Sequence, residues 1–160
     1  MTHSAAHTST TEQAKPILGW REWITLPELN IDHIKAKIDT GARSSALHAF
    51  AIEPYRKAGQ RWVMFAIHPQ QKNTDIVIEC HAPIKDRRIV SDSGGHKQRR
   101  YVIETPLLLG SAIISAEMTL TNRDSMLFRM LIGRTSLNDR FLIDPSASYC
   151  QGKPSSSSTL

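Results

Sequence analysis

Along the chain the apolar residues arrive in short bursts separated by turn-forming residues. The runs Ile17 to Thr25, His33 to Ile38, Ala46 to Ile52, Trp62 to Ile67, Asp75 to Cys80, Lys85 to Val90, Arg99 to Thr105, Ile113 to Thr121 and Leu127 to Ile132 are rich in β-branched or aromatic residues. Many alternate apolar with polar positions, the period of a half-buried strand. Between them fall Pro27, Gly41, Gly59, Pro69, Ser93-Gly94-Gly95, Gly110 and Asn122, the residues that tight turns require. This rhythm of short strand and turn predicts an all-β sandwich or barrel. One short helix is expected late in the chain, capped by Thr135 and covering Ser136 to Arg140, before Phe141-Leu142-Ile143 resumes an extended pattern.

Composition changes this picture only at the edges. With 160 residues, one domain is expected, placed at 16–150. The segments 1–15 and 151–160, the latter carrying Ser155-Ser156-Ser157-Ser158, are too polar to offset the entropy of ordering and read as disordered tails. The first of them has no apolar centre, so no secretion signal is expected, and the protein is assigned to the cytoplasm. The most apolar stretch, Leu107-Leu108-Leu109, stops at Gly110 and Ser111, far short of the roughly 18 residues of a membrane span. Cys80 and Cys150 are too few and too far apart for a disulfide framework and are expected to be reduced. The net charge of +5 favours acidic partners and keeps association with a ribosomal surface or RNA open.

The candidate chemistry lies where the second of these strands ends. Asp39-Thr40-Gly41-Ala42 follows Ile34-Lys35-Ala36-Lys37-Ile38, so a carboxylate sits at the entry to a tight turn. There the glycine lets backbone amides approach the carboxylate, and the threonine hydroxyl can fix the turn. Taken alone, Asp-Thr-Gly is also ordinary turn sequence. A second element, Leu131-Ile132-Gly133-Arg134, closes a late apolar strand just before the expected helix.

This pair of elements resembles the retropepsin family of aspartic proteases. The strings Gly19-Trp20-Arg21-Glu22-Trp23, Lys35 to Arg43, Leu120-Thr121-Asn122-Arg123-Asp124 and Phe141-Leu142-Ile143-Asp144-Pro145 are similar to the bacterial retropepsin-like family often labelled ATP-dependent zinc proteases. Members of that family tend to accompany ATP-grasp ligases that add glutamates to a ribosomal protein. The resemblance spans roughly residues 17 to 153 and implies a closed acid-protease barrel. It further implies that Asp39 is the catalytic carboxylate, one of two that share a proton because neighbouring like charges cannot both ionise readily. One chain carries a single Asp-Thr-Gly, so the resemblance implies a homodimer. Thr40 would brace the pair of loops, Gly41 and Ala42 would shape the turn, and Gly133 and Arg134 would support it from beneath. The segment Arg87 to Tyr101, tipped by Ser93, Gly94, Gly95 and His96, stands where retropepsins carry their flap and would touch substrate.

One departure bears on the substrate. Retropepsins usually place an acid soon after the Asp-Thr-Gly-Ala motif, opposite the Arg of Gly-Arg; here that place is Arg43, leaving Arg134 without the usual carboxylate. Arg43 with Arg87, Arg88, Lys97, Arg99 and Arg100 would favour an acidic, glutamate-rich peptide, although charge runs are also simply solvated strand faces. No His-Glu-x-x-His and no Gly-x-x-x-x-Gly-Lys phosphate loop occurs, so neither zinc nor ATP is expected as a cofactor. Ser44, Ser45 and His48 lack a nucleophile elbow and are read as wall and turn residues. Trp20, Trp23 and Trp62 are expected in the core rather than under nucleic-acid bases. The expected activity is therefore that of an aspartic peptidase, with a non-catalytic module docking an acidic tail as the rival.

Overall fold

The computed structural model describes residues 14–91, 94–123 and 126–153. Its strands are β1 (Ile17–Leu18), β2 (Arg21–Leu26), β3 (Ile31–Asp39), β4 (Ser45–His48), β5 (Phe50–Lys57), β6 (Gln60–Ile67), β7 (Ile78–Pro83), β8 (Asp86–Ser91), β9 (Lys97–Leu109), β10 (Ala112–Thr121), β11 (Met130–Gly133) and β12 (Leu142–Ile143). The protein is thus all-β, as the alternation predicts. The main sheet runs β10-β4-β11-β3-β2-β9-β8, and β9 also pairs with β10, so the sheet returns on itself as a ring with β8 outside it. Closure at β2 and β9 is a single ladder pair, Thr25 with Leu108. The strands β5, β6 and β7 make a second sheet.

Strand parity explains the core. On β3, Ile34, Ala36 and Ile38 point inward, and on β2 so do Ile24 and Leu26. They meet Leu47, Ile103, Leu107, Ile114, Met118, Met130 and Ile132 from the other ring strands, with Phe65 and Ile67 added from the second sheet. Cys80 lies in the same cluster, where burial, with Glu79 adding to it, pushes the thiol up to about 12. Both cysteines are free thiols.

The expected late helix does not form. Arg134–Ser136 is a single 3-10 turn, and no α-helix occurs among the described residues. The Thr135 hydroxyl donates to the Arg43 carbonyl at 2.8 Å and is not available as a helix cap. A second turn follows, in which the Arg140 N–H donates to the Leu137 carbonyl at 3.1 Å, and Asp139 within it takes a left-handed backbone (φ 66°) that a right-handed helix does not accommodate. The tryptophans also differ from expectation. Trp20, Trp23 and Trp62 are all half-buried rather than in the core, and each lies under a cation: Arg21 over Trp20, Lys35 and Lys153 over Trp23, Lys57 over Trp62. Parity is again the reason, because β2 turns Trp23 outward with Arg21 and Thr25. Among the described residues no helix is long and apolar enough to cross a membrane. Of the two expected tails, 1–13 and 154–160 lie outside the described residues.

Gln151, assigned to a tail by composition, is instead fastened to the domain, and the fastener is Glu22. This carboxylate occupies an inward position of β2 and is wholly buried. It accepts hydrogen bonds from the backbone N–H groups of Gly19 (2.7 Å), Cys150 (2.8 Å) and Gln151 (3.1 Å). Buried carboxylates persist only when satisfied in this way. The C-terminal segment therefore runs back along residues 16–22, and its carbonyl at Ala147 accepts the Trp20 N–H at 2.8 Å. Contact is so close that a Cβ at Gly19 would run into the Ala147 carbonyl. Glu22→Ala, which strands three N–H donors, is expected to cost about 3–5 kcal/mol of stability in urea unfolding. Gly19→Ala should lower stability as well through overpacking, while Glu28→Ala, at an exposed position, should change it little.

Candidate functional site

Asp39 stands at the last position of β3, half-buried beside the inward Ile38. The strand β11 runs parallel to β3, with Ile132 opposite Ile38 and Gly133 opposite Asp39. The sequence elements around residues 39 and 133 thus meet at one end of the ring. Immediately after Asp39 the chain turns: the Gly41 N–H donates to Asp39 Oδ1 at 3.2 Å and the Ala42 N–H to the Asp39 carbonyl at 3.2 Å.

Three successive carbonyls of this turn are held by the other element. Arg134 Nη1 donates to the Gly41 carbonyl at 3.1 Å, the Arg134 N–H to the Ala42 carbonyl at 2.8 Å, and the Thr135 N–H to the Arg43 carbonyl at 3.2 Å. Arg134, which lacks a carboxylate at position 43, is therefore occupied by the turn itself. Gly133 permits the approach, since a Cβ there would lie 2.6 Å from the Ser44 carbonyl oxygen and 2.9 Å from the Arg43 carbonyl carbon. Its own N–H donates to the buried Ser45 hydroxyl at 3.0 Å. Sequence reasoning passed over this role of Ser45. His48 is buried as well, and its Nδ1 accepts the Arg123 N–H at 3.0 Å. Thr40 and Arg43 are exposed. Among the described residues the Thr40 hydroxyl has no hydrogen-bond partner within the chain.

A second arm is the β8–β9 hairpin, in register from Asp86–Val102 to Ser91–Lys97. Gly94, Gly95 and His96 lie exposed at its tip, with Gly95 left-handed (φ 84°); Ser93 lies outside the described residues. Its root is an ion network. Lys85 Nζ lies 3.1 Å from Glu104 and 2.8 Å from Glu117, and Arg88 lies 2.9 Å from both Glu117 and Asp86. Arg88 is thereby neutralised rather than presented to a ligand. Arg87 packs over the Tyr101 ring at 5.6 Å and lines a shallow cleft of about 180 Å³ with Arg99 and Arg100. Lys85, with Arg88 behind it, holds the Glu117 carboxyl below its ordinary range. The Arg88 side chain, then the Arg87 N–H, does the same for Asp86. Among the described residues no three His, Cys, Asp or Glu side chains converge to ligand spacing.

Comparison with known proteins places the chain in a family. The sequence profile of the family described as RimB-like, retropepsin-like aspartic endopeptidase RimB, matches residues 17–154. The chain belongs to this family. Relatives named probable alpha-L-glutamate ligase, from Shewanella pealeana and Desulfotalea psychrophila, are each 43% identical to it, over 87% and 91% of the chain. The chain spans only 30% and 31% of their length. A crystal structure of a Legionella pneumophila protein of unknown function superposes with a TM-score of 0.72 at 25% identity, over 86% of this chain and 99% of that one.

Within this RimB-like frame, Gly133→Ala should push the Arg43–Ser44 backbone away and cost about 1–3 kcal/mol or more, with a visible change in the NMR environment of Gly41 and Ala42. Ser45→Ala, which leaves the Gly133 N–H unpaired, should cost about 1–3 kcal/mol by the same urea assay. The hairpin root adds a pH dependence. Because the folded Glu117 and Asp86 values are lowered, the network stabilises fully above the ordinary carboxylate range and is lost as pH falls through the lowered values. A Glu117→Gln variant should flatten the acid limb of a Tm-versus-pH curve.

Proposed function

We propose that the chain is an aspartic peptidase acting as a homodimer on acidic, glutamate-rich chains, with one Asp39 from each copy forming the catalytic pair. The observation that carries this reading is the placement of Asp39 on a turn whose carbonyls at Gly41, Ala42 and Arg43 are held by Arg134 and Thr135. Such bracing fixes a carboxylate for proton transfer, and a single carboxylate is half of the required machinery. The exposed Thr40 hydroxyl, without a partner in its own chain, is free to bond across a two-fold axis. Ile17 and Leu142, paired across the β1–β12 ladder and about half exposed, supply apolar surface for the second copy.

In the dimer one Asp39 is ionised and the other protonated. The ionised carboxylate takes a proton from water as the oxygen attacks the scissile carbonyl carbon, and the protonated one gives its proton to the carbonyl oxygen. Collapse of the tetrahedral intermediate breaks the C–N bond, and the leaving amine takes up a proton from the acid–base pair. The acidic substrate is supported by the exposed Arg43 beside the turn and by relatives named as glutamate ligases. That kinship suits a hydrolase paired with an ATP-grasp ligase that supplies its glutamate-rich substrate on a ribosomal protein.

Asp39→Asn is expected to abolish hydrolysis of a glutamate-rich peptide, a loss of at least about a thousandfold in kcat, with folding and dimer intact by circular dichroism and ultracentrifugation. Specific activity of the native chain should fall on dilution as the dimer dissociates. Full activity from a demonstrated monomer, or from Asp39→Asn, would overturn the reading.

A further inference from the structure

Leading away from Asp39, the outer face of β3 carries one basic or aromatic-contacting residue at every second position. His33, Lys35, Lys37 and Asp39 alternate with the buried Ile34, Ala36 and Ile38. The antiparallel neighbour β2 adds to the same face, with Arg21 opposite Lys37 and Trp23 opposite Lys35. Same-face residues on a strand repeat every ~6.6 Å, so the line from Asp39 to His33 is about 20 Å long. It ends in a cleft of about 410 Å³ whose lining includes Trp23, His33, Lys35, Gln71, Lys72 and Lys153 and contains no carboxylate.

The groups in this cleft lack anionic partners. Among the described residues no carboxylate lies within ion-pair distance of Lys35, Lys37, Lys72 or Lys153. Lys35 and Lys153 instead rest on the Trp23 ring, at 5.2 and 5.0 Å from its centroid, and His33 meets the same ring edge-on at 5.3 Å. His33 Nδ1 and Gln71 Nε2 are buried and bond to nothing. Gln71 Nε2 can only donate, so it suits an acceptor oxygen such as that of a carboxylate. Lys72, at the lip, holds a left-handed backbone (φ 57°), a strain that tends to collect at binding sites.

We propose that this face is an extended subsite for the acidic chain: a track from Lys37 and Arg21 to the Trp23–His33 cleft that takes every second glutamate carboxylate of an extended peptide. The inference rests on the acidic-substrate reading above. What favours a peptide over a nucleic acid is the repeat: an extended chain lying along β3 advances at the strand's own ~3.3 Å per residue, so alternate glutamates meet alternate cations. Specificity would then include length, with about six residues on one side of the scissile bond needed to reach the cleft.

The test uses the full-length Asp39→Asn chain, which binds without turnover, and oligoglutamates of about three, six and nine residues, followed by calorimetry and by Trp fluorescence. Affinity is expected to rise by roughly tenfold or more from the short to the middle peptide, to level off beyond it, and to weaken with salt. A Lys35→Gln/Lys153→Gln variant should erase that gain, whereas Lys35→Arg/Lys153→Arg should keep it. Affinity independent of length, or displacement of the middle peptide by inorganic phosphate or an oligonucleotide at equal concentration, would overturn the track. The peptidase reading fails separately: length-dependent binding with no hydrolysis of any acidic peptide by the native chain refutes that reading alone, and hydrolysis with length-independent binding refutes the track alone.

Discussion

The inward–outward parity of β3, locked by its parallel pairing with β11, governs both what the core contains and what the surface can do. Ile34, Ala36 and Ile38 face the ring interior, so the opposite side chains, ending in Asp39, have no alternative but to line the outside. Register with β11 then sets Gly133 directly beside Asp39. A slip of one residue would bury Lys35 and Lys37 and expose the isoleucines, a reversal no ring of this size could absorb. Gly133 makes the lock possible, because the Arg43–Ser44 backbone occupies the space where any side chain would stand.

A second constraint acts on the chain ends. Glu22 at an inward position would destabilise β2 if it stood alone. Its three N–H donors come from residues 19, 150 and 151, so the carboxylate is tolerable only once the C-terminal segment is in place. Folding of the first strands and docking of the last residues are therefore coupled. The same docking brings Tyr149 into a stack with Trp23 at 5.7 Å and carries Lys153 over that ring. The clamp that closes the fold thus also completes one wall of the cationic cleft.

These two constraints differ in how legible they are. The strand count and turn positions follow from alternation, which tracks burial locally, and Asp39 and Gly133 stand out because Asp-Thr-Gly-Ala and Gly-Arg are short, contiguous strings. The late helix was misread because Thr135 resembles an N-cap, while its hydroxyl in fact serves a carbonyl 92 positions earlier in the chain. Hydrophobicity alone points Trp23 to the core, because without the parity of β2 it does not say which side a residue faces. Glu22 did leave a trace, a carboxylate in phase with Ile24 and Leu26, but its donors lie beyond any local window. Non-local hydrogen bonds carry no local signature, and the site's bracing consists mostly of these.

Charge separates the two arms of the molecule by the same logic of partnership. On the hairpin, Lys85 and Arg88 are matched by Asp86, Glu104 and Glu117, and at the turn Arg134 is matched by a carbonyl; these cations hold structure. On the outer face of β2 and β3, Lys35 and Lys153 are matched only by aromatic faces. A cation–π contact orients an ammonium without neutralising it, so an incoming carboxylate finds the charge in place and meets no resident anion to displace. The basic excess of the chain, +5 overall, is on this account not a uniform coating. Part of it, Lys35, Lys37, Lys72 and Lys153, lies without a carboxylate partner among the described residues, along the face that begins at Asp39 and in the cleft at its end, where attraction of an acidic chain and orientation of its scissile bond would be achieved by one surface.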